Sequence, residues 1–252
     1  MTHAHHPSIR FALLAAIAGA LLLVPGVAHA KVKSSLSGSL LTVTGGKGSD
    51  RITVACKNGV VRVNSKDIGA IACSKVSEVD IVAGSGNDRV DLSGVGQDAG
   101  FGQRELPGGF GHGTGAAADL GRGNDRYVGG GSAFNLVLAG PGDDRMTGGR
   151  LRDSLQGGSG DDTAAAGAGR DILLGNAGND RLNGGADDDL LSGNAGDDVL
   201  VGSAGADLIG GGAGMDRLFG GPGPDQLIGG PGKDRLNGGP GNNTLVQDSP
   251  KK

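Results

Sequence analysis

The sequence is poor in the residues that build an ordinary globular core. Aromatic residues make up 2% of its 252 residues, with no tryptophan and one tyrosine. A core of conventional type, filled with bulky side chains, is therefore excluded. Glycine instead accounts for 54 residues, about three times its usual share. The chain must gain its stability in another way, or remain disordered without a partner.

Long apolar runs are also lacking, with one exception close to the N-terminus. Residues 11–24 are a continuous apolar run of 14 residues that follows Arg10, and residues 28–30 (AHA) place small side chains at a typical cleavage point. A run of this length is short for a bilayer core, which needs about 20 residues. We therefore predict that residues 1–30 are a secretory signal peptide, cleaved after Ala30. An uncleaved membrane anchor is the alternative.

Neither an excess of basic charge nor a catalytic signature is present. Without residues 1–30 the chain has 22 basic and 27 acidic residues, a formal charge of −5, and of its five histidines it keeps one, His112. That balance does not favour nucleic acid as a partner. The sequence contains no H-E-x-x-H and no G-x-S-x-G. We predict a secreted protein that is not an enzyme and does not insert into a membrane after cleavage.

Cysteine is scarce, with two residues in the chain, Cys56 and Cys73. In an exported chain, an even pair this close in sequence predicts a disulfide bond. Two free thiols are the alternative. Two cysteines alone do not make a zinc site.

The chain is rich in one internal repeat. Residues 139–246 divide into twelve nonapeptides without an insertion or deletion, such as GNAGNDRLN at residues 175–183. Position 6 is aspartate in eleven units and Asn243 in the twelfth, and position 8 is a large apolar residue except at Ala164. One more unit in register, residues 130–138, has Asn135 at position 6, and separate copies occur at residues 45–53, 83–91 and 120–128. The position-6 aspartates of all these units are Asp50, Asp88, Asp125, Asp144, Asp153, Asp162, Asp171, Asp180, Asp189, Asp198, Asp207, Asp216, Asp225 and Asp234.

The repeat predicts a coil of two nonapeptides. Each unit is a turn of six residues followed by a strand of three, so eighteen residues complete a coil with two strand faces, and residues i and i+18 stack as parallel neighbours about 4.8 Å apart. The position-8 side chains then form a thin core, and the aspartates line two edges. From residue 139 to residue 246 we count 16 Asp, no Glu and 8 Lys plus Arg. Carboxylates about 5 Å apart repel by about 3 kcal/mol at an effective dielectric constant of about 20.

A hard divalent cation between the coils would turn this repulsion into attraction. Carboxylates and turn carbonyls offer only oxygen ligands, and Ca²⁺ accepts six to eight flexible oxygen ligands, whereas Mg²⁺ demands a tighter octahedron. One leucine in nine residues buries little apolar area against the entropy of ordering the chain. We therefore expect the repeats to be largely disordered without Ca²⁺ and to fold when it binds.

The units resemble the RTX (repeats-in-toxin, or hemolysin-type calcium-binding repeat) family, whose pattern is G-G-x-G-x-D-x-U-x with U a large apolar residue. The resemblance implies a right-handed parallel β-roll with Ca²⁺ held between successive turns by the position-6 aspartates and backbone carbonyls. The fourteen aspartates named above become the expected metal ligands. Leu151 and Asp187 break position 4, and Asn135 and Asn243 lack the charge, so sites near these four residues are expected to be weak or terminal.

The remaining regions are predicted from composition. We expect an all-β chain with a β-rich region at residues 31–129, the β-roll at residues 130–246 and a tail at residues 247–252. Residues 31–129 carry short β-branched runs and the hairpin signal Asn58-Gly59. They are expected to cap the roll, with a long glycine-rich loop between Leu92 and Asp119.

Two functions remain open from the sequence. The first is an exported calcium-binding protein. The second is a calcium-stiffened structural or adhesive module of the cell surface, whose partner would be a glycan or a component of the cell envelope. The arginines at position 7 are expected to be a solvated face. A metal-free β-solenoid and a hydrolase are weaker alternatives.

Overall fold

In a computed structural model, which describes residues 32–64, 66–96, 104–105 and 112–247, the chain is all-β, with 2% helix. The predicted signal peptide lies outside the described residues. One 3₁₀-helix covers Cys73–Lys75. The strands are β1 (Lys33–Ser37), β2 (Leu40–Thr44), β3 (Arg51–Lys57), β4 (Val60–Val63), β5 (Lys66–Ala72), β6 (Glu78–Val82), β7 (Arg89–Gly94), β8 (Arg104–Glu105), β9 (His112–Asp119), β10 (Arg126–Val128), β11 (Ala133–Pro141), β12 (Arg145–Thr147), β13 (Ser154–Ser159), β14 (Thr163–Ala168), β15 (Ile172–Ala177), β16 (Arg181–Ala186), β17 (Leu190–Ala195), β18 (Val199–Ala204), β19 (Leu208–Ala213), β20 (Arg217–Phe219), β21 (Gln226–Ile228), β22 (Arg235–Asn237) and β23 (Thr244–Val246).

The strands alternate between two sheets, so that the chain winds as a parallel β-solenoid of about seven turns. Sheet 1 has the order β1-β2-β6-β9-β11-β13-β15-β17-β19-β21-β23, with β8 beside β9. Sheet 2 has the order β22-β20-β18-β16-β14-β12-β10-β7-β3-β4-β5. In the repeat region each strand pairs in parallel with the strand 18 residues further on, as Leu155 does with Leu173 and Leu182 with Leu200. The predicted fold and the eighteen-residue coil are confirmed.

The core between the sheets is thin, because each strand of the inner turns contributes one large buried apolar side chain at most. The position-8 residues are fully or nearly buried from Met146 to Leu227, and they form the predicted row of leucines. At the C-terminal end the row loses its cover, because the last turn has a neighbour on one side only, and Leu245 is 50% exposed. Core packing is therefore strongest inside the stack and weakest at this end.

The strands of the inner turns are longer than predicted. From β13 to β19 they have six residues, because ladder pairing continues through positions 2 and 3 of the next unit, as at Gly158 and Ser159. The main-chain N–H of position 3 donates to the previous turn, as Ala168 does to the carbonyl of Gly149 at 3.1 Å. Strands β20, β21 and β22 keep three residues where proline occupies that position and supplies no N–H.

The three separate upstream copies of the repeat belong to the same solenoid. Arg51 pairs with Arg89, Arg89 with Arg126, and Arg126 with Arg145. These steps span 38, 37 and 19 residues instead of 18, so each of these turns contains additional residues. The first additional segment is the antiparallel meander β3-β4-β5. Both sheets continue across residue 130, the predicted boundary between the β-rich region and the β-roll. The division of the chain into domains stays a prediction.

The predicted disulfide is present. Cys56 in β3 is bonded to Cys73, with the two Cα atoms 5.9 Å apart. Val61 and Val63 of the meander are buried on the inner face of sheet 2. The bond therefore ties the first additional segment to the first turn of the solenoid.

The predicted long loop between Leu92 and Asp119 is wrong for residues 112–119, which form strand β9. This strand pairs in parallel with β6 on one side and β11 on the other. Its sequence, HGTGAAAD, lacks β-branched residues apart from one threonine, so local composition gives no strand signal. Ala116 and Ala118 are buried, and pairing on both sides holds the strand in place.

None of the described residues forms a helix long and apolar enough to cross a membrane.

Two neighbouring leucines in β17, Leu190 and Leu191, allow the contribution of the thin core to stability to be tested. We expect Leu191→Ala to lower the free energy of unfolding by about 2–5 kcal/mol, because Leu191 is fully buried and its loss leaves a cavity. Leu190→Ala, at a side chain that is 38% exposed, should lower it by less than about 1 kcal/mol. Denaturant unfolding followed by circular dichroism in millimolar calcium measures both. Equal losses would contradict a core built from position 8.

Candidate metal site

The position-6 aspartates form two ladders along the two edges of the solenoid. The long ladder precedes the strands of sheet 2 and consists of Asp50, Asp88, Asp125, Asp144, Asp162, Asp180, Asp198, Asp216 and Asp234. The short ladder precedes the strands of sheet 1 and consists of Asn135, Asp153, Asp171, Asp189, Asp207, Asp225 and Asn243. All fourteen aspartates expected from the sequence lie in these ladders, including the three from the upstream copies.

One carboxylate oxygen of each inner aspartate joins two turns. The main-chain N–H of Asp162 donates to Oδ1 of Asp180 at 2.8 Å, and the N–H of Asp180 donates to Oδ1 of Asp198 at 2.7 Å. The same bond recurs along both ladders at 2.6 to 3.0 Å. Each carboxylate thus satisfies a buried N–H of the preceding turn, which fixes its orientation.

The second carboxylate oxygen is left without a partner. In eleven of the fourteen aspartates Oδ2 is buried and accepts no hydrogen bond from the described residues. These are Asp88, Asp125, Asp144, Asp162, Asp171, Asp180, Asp189, Asp198, Asp207, Asp216 and Asp225. A buried and unpaired carboxylate oxygen is costly unless a cation or a proton meets it.

The glycine at position 1 leaves open space beside this oxygen. A Cβ built on Gly175 would collide with Oδ2 of Asp180 and would lie 2.9 Å from the carbonyl oxygen of Gly193, one turn further on. At Gly193 the corresponding atoms are Oδ2 of Asp198 and the carbonyl oxygen of Gly211, at 2.7 Å from the Cβ position. We call this space, enclosed by Oδ2 and a carbonyl of the next turn, the cradle. Its donors are all oxygen atoms, as a hard cation requires.

Four units carry a side chain at position 1, the position that borders the cradle in the other units. In place of glycine, position 1 is Ala83, Leu120, Ala139 or Ala166, and each of these side chains is fully buried. They belong to the units of Asp88, Asp125, Asp144 and Asp171. The sequence analysis did not predict a difference between these four units and the others, although the change from glycine at position 1 can be read from the sequence.

The two ends of the short ladder, Asn135 and Asn243, carry amides instead of carboxylates. Asn135 is fully buried, donates from Nδ2 to Oδ1 of Asp153 at 2.7 Å, and accepts at Oδ1 from the hydroxyl of Tyr127 at 2.9 Å. Gln247 donates to Oδ2 of Asp234 at 2.8 Å. On the N-terminal side of Asn135, the residues aligned with it on successive strands of sheet 1 are apolar. They are Ala116 in β9, Val79 in β6 and Leu41 in β2. Tyr127 was also missed from the sequence as part of this junction.

The structure shows how the turn accommodates one of the two position-4 exceptions, Asp187. Asp187 adopts φ of 76°, the left-handed conformation that glycine adopts in most other units. Position 2 behaves in the same way, because Asn176, Asn194 and Ser203 replace glycine there with φ of 83°, 76° and 82°. The turn next to Asp189 therefore keeps its shape, and the expectation of weak sites near Leu151 and Asp187 stays a prediction.

Burial shifts the titration of the ladders towards neutral pH. Desolvation raises the pKa of Asp125, Asp144 and Asp153 to about 6, of Asp162, Asp189 and Asp198 to about 7, and of Asp171 to about 8. Main-chain N–H donors lower these pKa values, and carboxylates of neighbouring turns or adjacent residues raise most of them. Without a cation the ladders therefore hold protons at a pH where isolated carboxylates have lost them.

The carboxylates do not form a cage by themselves. Across the described ranges, no three His, Cys, Asp or Glu side chains are placed to hold a metal together. In the repeat region each turn contributes one position-6 residue to each ladder. A cation site here therefore depends on main-chain carbonyls, as the cradle provides.

The sequence profile of one family, described as RTX calcium-binding nonapeptide repeat (4 copies), matches residues 138–173, 174–209 and 210–245. Residues 138–245 are RTX repeats. No curated protein and no solved structure matches the chain. The RTX repeats and their stacked aspartates in a β-solenoid fit a calcium-binding repeat protein.

The raised pKa values predict how the metal-depleted RTX repeats respond to pH. The folded state retains protons that the unfolded chain releases above its ordinary carboxyl pKa of 3.8. The stability contributed by these groups is fully present below about pH 4 and is lost as the pH rises through about 6 to 8. We expect the far-UV circular dichroism β-signal of metal-depleted protein to decrease from pH 4.5 to pH 8. A rise over this interval would contradict the assigned burial.

Proposed function

We propose that this chain is an exported calcium-binding protein whose RTX repeats hold Ca²⁺ in the cradles and fold when the ion binds. The observation that carries the proposal is the repeated unpaired Oδ2 next to an open glycine position. Eleven aspartates share the unpaired oxygen, and the regular stacking repeats the same donor set from turn to turn.

The residues that would hold calcium are the position-6 aspartates together with the carbonyl of the position-1 residue one turn on. For Asp180 and Asp198 these carbonyls belong to Gly193 and Gly211. Bound Ca²⁺ would supply the positive charge that the desolvated carboxylates otherwise lack. The cation would thereby link the turn that provides Oδ2 to the turn that provides the carbonyl.

We expect the cradles to differ in occupancy. Those with glycine at position 1, such as the cradles of Asp162, Asp180, Asp198, Asp216 and Asp225, are open to an ion. The cradles of Asp88, Asp125, Asp144 and Asp171 contain an alanine or leucine side chain and are expected to bind weakly or not at all. All fourteen ladder aspartates thus remain candidates, with occupancy set by their partner at position 1.

The export that we propose for this chain is consistent with folding on calcium binding. Extracellular calcium modules commonly bind in the range of about 10⁻⁴ to 10⁻³ M, so repeats of this affinity would stay unfolded before export and fold outside the cell. Residues 1–30 have the composition of a signal peptide, and the disulfide suits an oxidising compartment. We further propose a binding role without catalysis, because the oxygen donors of the ladders suit a cation and the sequence carries neither hydrolase signature.

A calcium titration of the chain from Lys31 to Lys252 tests the function. We expect far-UV circular dichroism in excess EGTA to report mostly disordered chain and added Ca²⁺ to restore the β-signal at submillimolar to millimolar concentration. Mg²⁺ at the same concentration should restore little. A full β-signal in EGTA, together with no calcium bound at millimolar concentration by equilibrium dialysis, would refute the proposal.

A pair of glycine substitutions tests the cradle itself. Gly193→Ala places a methyl group against Oδ2 of Asp198 and the carbonyl of Gly211, whereas Gly210→Ala in the neighbouring strand meets no atom closer than 4.0 Å. We expect the first variant to bind about one Ca²⁺ fewer per chain by equilibrium dialysis. The second should bind as many as the unmodified chain.

The converse substitution opens a filled cradle. Ala166→Gly should raise the number of bound ions by about one, because it removes the methyl group from the cradle of Asp171. Folding at saturating calcium, checked by circular dichroism, separates a lost site from a lost fold. Unchanged stoichiometry in both Gly193→Ala and Ala166→Gly would show that position 1 does not control the site.

A further inference from the structure

The outer face of sheet 2 carries a row of arginines. Position 7 of successive turns is aligned in register across the sheet, from β3 to β22. Seven of its nine places are exposed arginines, and Thr163 and Val199 fill the other two. We call this row the arginine column, and its members are Arg51, Arg89, Arg126, Arg145, Arg181, Arg217 and Arg235.

The nonapeptide alone does not account for the column. Position 7 also occurs on sheet 1, where the aligned residues of the repeat region are Ser154, Ile172, Leu190, Leu208, Gln226 and Thr244. Arginine at position 7 therefore recurs with the eighteen-residue period of the coil, and only on the outer face of sheet 2. A general requirement for solubility would distribute charges of both signs over both faces.

The arginines are not balanced by acidic partners. None of the seven forms an ion pair with the described residues, and Arg217 lies over the ring of Phe219 at 5.6 Å from its centroid. The next outward row, at position 9, contains one acidic residue, Asp91. Like charges on neighbouring strands oppose the pairing of those strands. The column is therefore unfavourable for stability by itself and complementary to an anionic partner.

The spacing of the column defines the shape of that partner. Neighbouring strands of a sheet lie about 4.8 Å apart, so the nine places extend over about 38 Å in a nearly straight line. A guanidinium group binds carboxylate, sulfate or phosphate through two parallel hydrogen bonds. A matching ligand is a linear polymer that carries anionic groups at regular intervals.

The row beside the column offers groups that suit a carbohydrate. Thr147, Asn183 and Asn237 are exposed at position 9, and Phe219 presents a partly exposed ring in the same row. Hydroxyl and amide groups hydrogen-bond with sugar hydroxyls, and an aromatic ring packs against the apolar face of a sugar.

Nucleic acid fits this face less well. Duplex DNA spaces its phosphates by about 3.4 Å along each strand, and single strands are bound by several stacking aromatic side chains. The face has one aromatic residue in the repeat region, Phe219. We propose that the arginine column binds an anionic polysaccharide laid along the axis of the solenoid. The proposal rests on the proposed function only in that calcium keeps the turns stacked.

The test compares two charge-matched triple variants of the chain from Lys31 to Lys252 in saturating calcium. One replaces Arg181, Arg217 and Arg235 of the column by glutamine, and the other replaces Arg152, Arg170 and Lys233 of the turns by glutamine. The probes are immobilised dextran sulfate and hyaluronate, which distinguish sulfate from carboxylate recognition, with uncharged dextran as the blank. We expect the column variant to lose at least tenfold in affinity and the turn variant to stay within about threefold of the unmodified chain.

Three results would overturn the proposal. The first is an equal loss in both variants, which indicates attraction by net charge. The second is tighter binding of duplex or single-stranded DNA than of either polysaccharide. The third is no binding by unmodified chain that shows the calcium-dependent β-signal, an outcome that leaves the calcium function intact. Circular dichroism of each sample reports folding separately, so failure of calcium binding and failure of the column are distinguished.

Discussion

The architecture depends on how each aspartate divides its two carboxylate oxygens. Oδ1 accepts the main-chain N–H of the preceding turn, which satisfies a buried donor and holds the turns in register. Oδ2 is then buried, in most turns, with no hydrogen-bond partner within the described part of the chain. The same residue therefore joins neighbouring turns and leaves unbalanced charge between them. A fold of this kind combines precise stacking with buried carboxylate oxygens that are costly unless a cation or a proton meets them, and its thin core contributes little apolar area to offset that cost.

Much of this arrangement could be predicted from the period of the sequence. Asp and Leu in fixed phase at every ninth residue determine which side chains line the edges and which enter the core, and two units are needed to return to the same sheet. Asp144 to Asp234 therefore lie where the repeat predicts them. The disulfide was predicted from two cysteines close in sequence in a chain that was expected to be exported.

Other features were hidden because they depend on contacts distant in sequence. The copies containing Asp50, Asp88 and Asp125 are separated by 38 and 37 residues, so the period gives no sign that they stack as consecutive turns. Strand β9 consists mostly of small residues and is held by the strands on its two sides. The buried junction of Tyr127 with Asn135 likewise arises from stacking. The contrast between a glycine and an alanine at position 1 acquires meaning only when the carboxylate beside it is located.

The coil of eighteen residues also sets the unit in which such a chain can be lengthened or shortened. Each turn contacts its two immediate neighbours, so a whole coil can be inserted or deleted while every remaining side chain keeps its face. A change of nine residues preserves the repeat motif but exchanges the sheets for everything that follows. Between Arg145 and Leu190, it would transfer Leu190 and Leu208 to the face that bears Arg145, would move Arg217 to the opposite face, and would interrupt the row of positive charge. Identical motifs in neighbouring units are therefore not equivalent, and the parity of the repeat number decides which surface the molecule presents.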